Sequence, residues 1–324
     1  MSTVTSSTTS LHENPHPLLA LLTLHICVHA ELTEEQRRVP LEVESPDPKL
    51  AKIVLIAGPI SNNKPGEHEY FAGSVLLMDL LKQTTGVWPV LVAEGWPKNE
   101  AILDGAKAIV VYTDTAEKLP FLEPARWAHM KRLIDAGTGF VMLHQSADVP
   151  ADHAEEMKSW IGAVWQKDTG CRGHWDMDFN EIPTHEITRG VAAFHVPFDG
   201  WLFNLQFAPG ATPLLSGMVP DKARSTADAK THMGRPEVVA WAYERQNGGR
   251  SFAFTGCHLH RNWGLESERR LVTNGILWAA KIEVPSAGAP VTFNPANLAN
   301  NLDNKPKPAP KAAAAPAPAA APAQ

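Results

Sequence analysis

The chain has 324 residues, 44% of them hydrophobic and 20% charged, with a formal net charge of -6. That balance can fill one large or two modest globular cores, and it advertises no basic face, which argues against nucleic acid as a partner. Three cysteines make no disulfide framework, and without a C-x-x-C pair thiolate metal fingers are out. The 14 histidines and 10 tryptophans suit polar pockets with flat apolar walls, such as sugar sites.

In chain order, residues 1–16 are rich in Ser and Thr and lack Lys and Arg. An apolar run follows over residues 17–30. It is short for a membrane span but suits a signal-peptide core, with Val28-His29-Ala30 where a signal peptidase would cut. The missing positive n-region and the two histidines make it atypical. The expectation is export (periplasmic or secreted) through an atypical signal, with a cytoplasmic chain carrying an N-terminal extension as the alternative. No integral membrane segment is expected in the mature chain. Residues 31–50 are polar, contain three prolines and read as a linker, so residues 1–50 are expected to be a signal-like or disordered segment.

The folded part starts at residues 52–57, a nearly continuous apolar run that predicts a strand buried on both faces. After a polar loop ending in Glu67-His68-Glu69, residues 70–82 carry a helical pattern on Phe71, Val75, Met78 and Leu81. Further strands are predicted at 88–92 and 108–112. Pro124 is placed for a first helical turn, Trp127, Met130, Leu133 and Ile134 form the buried stripe, and Gly137 reads as a C-cap. A fourth strand, Gly139-Phe140-Val141-Met142-Leu143, runs straight into His144, and helical spacing resumes at Met157, Trp160, Ile161 and Val164. Strands alternating with helices imply βαβ units and an α/β fold with a mostly parallel sheet. The next hundred residues are less regular. Residues 173–179 alternate polar and apolar, 217–236 read as a surface loop, and Asn247-Gly248-Gly249 marks a hairpin between 238–242 and 251–255. A last helix uses Leu271, Val272, Ile276 and Ala279. Residues 286–324 are expected to be a disordered tail, Pro/Ala/Lys-rich from Lys305.

Several clusters can carry chemistry. His144 lies where open α/β sheets place reactive groups, at the carboxyl end of a strand; the alternative is a hydrogen-bonded histidine that ends a strand. His258 and His260, two apart on an extended segment, would point both rings one way and could chelate a divalent metal or bracket a polar substrate; the alternative is a surface pair. Arg261, Asn262 and Trp263 add a cation, an amide and a flat ring. Glu67-His68-Glu69 could supply a carboxylate base or metal ligands, or form a solvated helix start. His174, Asp176 and Asp178 could share one strand face, and Asp199 precedes an aromatic stretch. No Gly-x-Ser-x-Gly elbow, P-loop or Gly-x-Gly-x-x-Gly is present, so no nucleotide cofactor is expected.

Together, Ala57-Gly58-Pro59 through Gly66-Glu67-His68-Glu69, the 139–144 strand, Thr188-Arg189-Gly190-Val191, residues 236–241 and residues 256–264 resemble the trehalose-utilisation (ThuA-like) family, over about residues 52–285. The resemblance implies a class I glutamine-amidotransferase-like fold: a flavodoxin-like, doubly wound, mostly parallel sheet with β-rich insertions, here residues 51–285. His144 stands where true amidotransferases carry their cysteine, so glutaminase chemistry is not supported. The family looks carbohydrate-processing and is associated with 3-keto sugar derivatives and, in some members, a divalent metal, zinc first. The chain departs from relatives at Gly200, where Glu is frequent, at Cys257, where Gly is usual, and at Glu186, where Pro is usual.

The resulting expectation is an enzyme that acts on a glycoside or 3-keto-glycoside by hydrolysis or elimination, metal-assisted. Its catalytic residues would be His144, Glu67 and His258. Substrate would contact His174, Asp199, Arg261, Asn262 and Trp263, with Trp201 as a further stacking candidate. A metal would take His68, His258 and His260. The partner is a small carbohydrate, and a homo-oligomer is compatible. The alternatives are a non-catalytic sugar-binding or accessory protein and a metal-independent amidotransferase-like hydrolase.

Overall fold

A computed structural model describes residues 32–305; the expected signal run and the chain beyond 305 lie outside the described residues. The elements are β1 (Ala51–Ala57), α1 (Tyr70–Leu81), β2 (Val87–Val92), β3 (Ala108–Tyr112), α2 (Pro124–Asp135), β4 (Gly139–Leu143), α3 (Ala154–Ile161), β5 (Ala163–Val164), β6 (Cys171–Phe179), β7 (Phe194–Phe203), β8 (Gln206–Phe207), β9 (Thr212–Met218), α4 (Ala227–Lys230), β10 (Pro236–Glu244), β11 (Arg250–Phe254) and α5 (Glu266–Ala279).

Seven strands form one sheet in the order β2-β1-β3-β4-β11-β10-β9. β1 to β4 and β11 run parallel, and β10 and β9 extend the sheet antiparallel. The chain leaves β1 toward β2 on one side and reaches β3 on the other. That reversal opens a crevice at the carboxyl ends of β1 and β3, as in flavodoxin-like sheets. The fold is the doubly wound α/β arrangement expected. Its β-rich insertions are the β6–β7 hairpin and the small β5–β8 pair.

The continuous apolar runs follow from two cores, one on each face. Ile53 and Leu55 of β1 face one core and Val54 and Ile56 the other. β4 divides in the same way, Val141 and Leu143 against Phe140 and Met142, because neighbouring strand side chains point to opposite faces. α1 is buried on nearly every side, which explains why its pattern is apolar almost all round. α2 begins where expected: Pro124 is in the first turn and the Glu123 carboxylate accepts from the N–H groups of Ala125 and Arg126. Gly137 follows it with φ +91°, a left-handed stop that glycine takes without a Cβ clash.

Three expectations need correcting. Val164 belongs to β5 and lies outside the helix before it. The 217–236 stretch is not all surface: Arg224 is buried, donating to Glu237 and to the Arg235 carbonyl. Residues 32–50 and 286–305 are neither loose linker nor loose tail. Asn274 on α5 donates to the carbonyls of Ile187 and Arg189 and accepts from the Ala289 N–H. The buried Gln36 amide donates to the Asn301 carbonyl and to Asp303. Lys305 ends the described chain with its side chain wholly covered, 3.3 Å from Glu69 and 3.4 Å from Asp303, and it donates to the carbonyls of Glu67 and His68. These segments are held by polar bonds to distant residues, which leave no hydrophobic period in the sequence.

Lys305 pairs with two buried carboxylates, so its removal should cost more than that of a surface lysine. Lys305→Met is expected to lower the unfolding free energy by about 3–5 kcal/mol, the usual cost of stranding one side of a buried ion pair; urea denaturation reads it. A second prediction concerns Glu268 in the first turn of α5, which is wholly buried. Burial, with the Asp199 carboxylate nearby, pushes its pKa well above the usual range. The folded state then holds a proton that the unfolded chain loses above about pH 4.3, so stability falls as pH rises from there. Glu268→Gln should match the parent near pH 4 and melt higher at pH 8.

Candidate functional site

Three histidines from three distant segments meet at the crevice. His68 closes the loop after β1, His144 is the first residue after β4, and His258 lies in the loop after β11. His144 Nε2 is 3.0 Å from His68 Nε2 and 3.2 Å from His258 Nδ1. One nitrogen from each ring lies within 4.8 Å of the other two, and all three rings are buried.

Local backbone geometry aims these rings. His68 has φ +52°, His144 +55°, and Cys257, directly before His258, +68°. Non-glycine residues enter this region at a cost of roughly 1–2 kcal/mol, and such strain gathers at functional sites. The left-handed turn at 257 is a conformation that glycine adopts without a Cβ clash, so Cys257 carries this strain itself. Asp199 supplies the bracing. One carboxylate oxygen accepts from the N–H groups of Gly200 and Leu259, and the other from that of Cys257, so the loop is fixed on both sides of His258. Burial pushes the Asp199 and Glu268 carboxyls upward. The three backbone donors favour the anion on Asp199, so the proton of the pair resides on Glu268. Gly200 provides the space: a Cβ there would lie 2.7 Å from Cγ of the His258 ring.

Proton placement follows from the outer partners. His144 Nδ1 is 3.0 Å from the Thr255 carbonyl and must donate to it, leaving Nε2 as an acceptor. His258 Nε2 is 3.2 Å from His174 Nε2, so a proton there leaves Nδ1 bare. His68 Nδ1 faces the Tyr70 hydroxyl at 2.9 Å and the Asn63 amide at 2.5 Å; an N–H there can donate to the hydroxyl, or to the amide oxygen once the amide is turned. In that tautomer set each of the three rings presents a bare nitrogen to the cluster. Burial holds all three imidazoles neutral. His144 is pushed down to about 4, countered in part by the Thr255 carbonyl. His68 and His258 are lowered further by burial and by the neighbouring rings.

This donor set fits a divalent cation. Neutral imidazole is the ligand form, and the outer carbonyl, hydroxyl and imidazole partners are those that orient metal-ligating histidines. A zinc–nitrogen distance of about 2.0–2.1 Å implies tetrahedral ligand separations of about 3.3 Å. Two of the three edges, at 3.0 and 3.2 Å, are close to that. The cluster opens into a cavity of about 410 Å³ lined by Asn63, Lys64, Glu67, Asp114, Gln145, His174 and Phe198, among others.

Of the residues expected at the site, His68, His144, His258, His174 and Glu67 come together. His260 does not join them. The chain turns into a 3-10 helix at His260–Gly264, so the two rings diverge. His260 is buried with neither ring nitrogen partnered, outside the three-histidine group; His144 takes the place expected for it. Asp199 is fully buried and holds backbone rather than substrate. Trp263 and Trp201 are core residues with no free face, and Asn262 is buried in the same 3-10 turn as Trp263. Arg261 is exposed and reaches the carbonyls of Pro197 and Phe198 at the rim. Asp176 and Asp178 pair with His195 on the outer face of β6. Asp114, Asn63, Tyr70 and Gln145 were not anticipated. Asp114, at the end of β3, carried the positional signal that singled out His144, the carboxyl end of a parallel strand.

Comparison with known proteins bears on the family and the fold. The family model described as ThuA, trehalose utilisation, matches residues 60–279. No curated protein matches the chain. Among solved structures, a ThuA-like protein of Bacteroides uniformis is similar with 14% identity and a TM-score of 0.50, over 73% of this chain and 94% of that one. A ThuA-like protein of Parabacteroides merdae shares 14% identity at a TM-score of 0.49, over 73% of this chain and 92% of its own. The first likeness concerns the fold alone; the family match extends over most of the sequence and includes all three clustered histidines, and the chain belongs to the ThuA (trehalose utilisation) family.

Proposed function

We propose that this protein is a carbohydrate-processing enzyme that acts on a glycoside or 3-keto-glycoside by elimination or hydrolysis, with a divalent metal, zinc first, held by His68, His144 and His258. The observation that carries the reading is the convergence of three bare imidazole nitrogens on a buried spot that opens into a polar cavity. Bound there, the ion supplies Lewis-acid polarisation of a sugar carbonyl or hydroxyl. His144 and His258, expected as proton-transfer groups, are ligands in this reading, because their lone pairs are turned into the cluster.

The acid–base work falls to groups on the cavity wall. Glu67 takes the proton from the carbon next to the keto group, the electron pair shifts toward the carbonyl, and the glycosidic C–O bond breaks at the adjacent carbon. His174 can accept from His258 through Nε2 and so keeps Nδ1–H for the leaving oxygen. Water added across the resulting double bond completes a net hydrolysis. Asp114, which accepts from Lys118 at 2.6 Å and from the Thr115 N–H at 3.1 Å, is the second carboxylate within the cavity and fixes a hydroxyl or the incoming water. A keto group acidifies the neighbouring C–H, so this route does without the paired-carboxylate geometry of ordinary glycosidases.

Purified protein should carry about one divalent ion per chain, read by elemental analysis, and should convert at least one member of a 3-keto-glycoside panel in a chelator-sensitive way. Glu67→Gln should lower kcat by about 10²–10⁴-fold, the range for a lost general base, with the metal content unchanged. Sugar binding without turnover would instead support the accessory-protein reading, and a chain that is metal-free and inert to the whole panel would sink the enzyme reading. A separate test uses Gly200→Ala. The new methyl group must push the His258 ring aside, so zinc affinity should fall about 10–100-fold, the scale for disturbing a ligand's support, while the circular dichroism spectrum stays that of the parent.

A further inference from the structure

Beside the histidine cavity lies a second one of about 660 Å³, and three segments contribute residues to both. The segment after β3 gives Asp114 to the first and Thr115 to the second; the turn after β4 gives Gln145 and Asp148; β6 gives His174 and Arg172. Arg172 and His174 are two apart on one strand, so their side chains leave the same face about 7 Å apart. The two cavities therefore adjoin as neighbouring lobes along these three segments.

The second lobe is built around a fixed guanidinium. Arg172 lies over the Trp165 ring, 4.0 Å from its centroid, and Nη2 donates to Asp148 Oδ2 at 2.7 Å. The Thr115 hydroxyl donates to that same oxygen. The Asp148 side chain is 7% exposed, whereas that of Arg172 is 41% exposed, so the fork is held from behind and faces the cavity. Val149, Pro150 and Ala151 add an apolar wall. A planar donor fork, a carboxylate acceptor and C–H surface together match a ring with adjacent hydroxyls. An anion fits less well. The guanidinium is already neutralised by Asp148, and the lining carries three carboxylates (Glu117, Asp148, Asp168) against two cations (Lys167, Arg172).

We infer that this lobe is a second sugar subsite: the ring that reacts occupies the histidine cavity, and the neighbouring ring of a neutral disaccharide rests on Arg172, Asp148 and Thr115. The inference rests on the carbohydrate reading above and adds the length and charge of the ligand.

Calorimetry on the full chain with trehalose, glucose and trehalose 6-phosphate tests it without requiring turnover. Trehalose should bind at least about tenfold tighter than glucose, the equivalent of about 1.4 kcal/mol from the added ring. Arg172→Gln should bring trehalose down to the glucose level and leave glucose unchanged. Arg172→Lys, which keeps a cation for Asp148 but loses the fork, should do the same if the first variant fails to fold. Equal affinity for one ring and two overturns the subsite, as does binding of neither sugar. Tighter binding of the phosphorylated sugar also overturns it, since that marks an anion site. Disaccharide binding without turnover of any glycoside keeps the subsite and removes the enzymatic reading; turnover with equal one-ring and two-ring affinity does the reverse.

Discussion

The Asp199 carboxylate is the fixed point of the site. It sits on a strand of the inserted hairpin, yet two of its three backbone partners, Cys257 and Leu259, belong to the loop that leaves the central sheet. A buried anion without donors would cost several kcal/mol. With three N–H groups it becomes a rigid bracket, since rotation of either segment would strand it. The insertion and the central sheet are therefore joined at the loop after β11 that carries His258. The missing side chain at Gly200 and the cross-strand pairing of Gly200 with His174 complete the seat into which the His258 ring drops.

The site also holds four of the ten left-handed non-glycine residues found among the described residues. The central strands and helices are locally consistent, with apolar periods, caps and stops that agree with one another. The left-handed residues at 68, 144 and 257, and Phe198 at the rim with φ +48°, are not. Neutral, closely spaced imidazoles add electrostatic tension to the backbone strain. Both are tolerated because the two cores on either side of the sheet supply a large surplus of buried apolar surface. The molecule thus separates its tasks: the sheet provides stability, and its carboxyl ends hold an arrangement that would not persist alone.

This separation sets how much could be seen in the sequence. β3 and β4 are legible to the residue because a strand buried on both faces has nowhere to place a polar side chain. His144 is legible because a polar residue at the end of such a run marks a crevice in an open sheet. The error at His260 has a local cause: an extended reading of 258–260 carried strand alternation into His260, which is the first residue of a 3-10 turn. Asp199 and Trp263 were assigned to substrate because polar and aromatic types suit sugars, but type does not reveal whether a side chain faces a cavity or a bracket. Asn63, Tyr70 and Lys305 were invisible for a different reason. Their roles exist only after segments far apart in the chain have met, and no spacing in the sequence encodes that meeting.

Lys305 gives this a temporal side. It reaches the carbonyls of the first site loop from 237 residues further along the chain. On a ribosome adding about 5–20 residues per second, that loop waits roughly 10–50 s before its clasp has been synthesised. The sheet can assemble in the meantime, but the crevice matures last, so a nascent chain stalled short of this lysine would be folded in outline and unfinished at its centre.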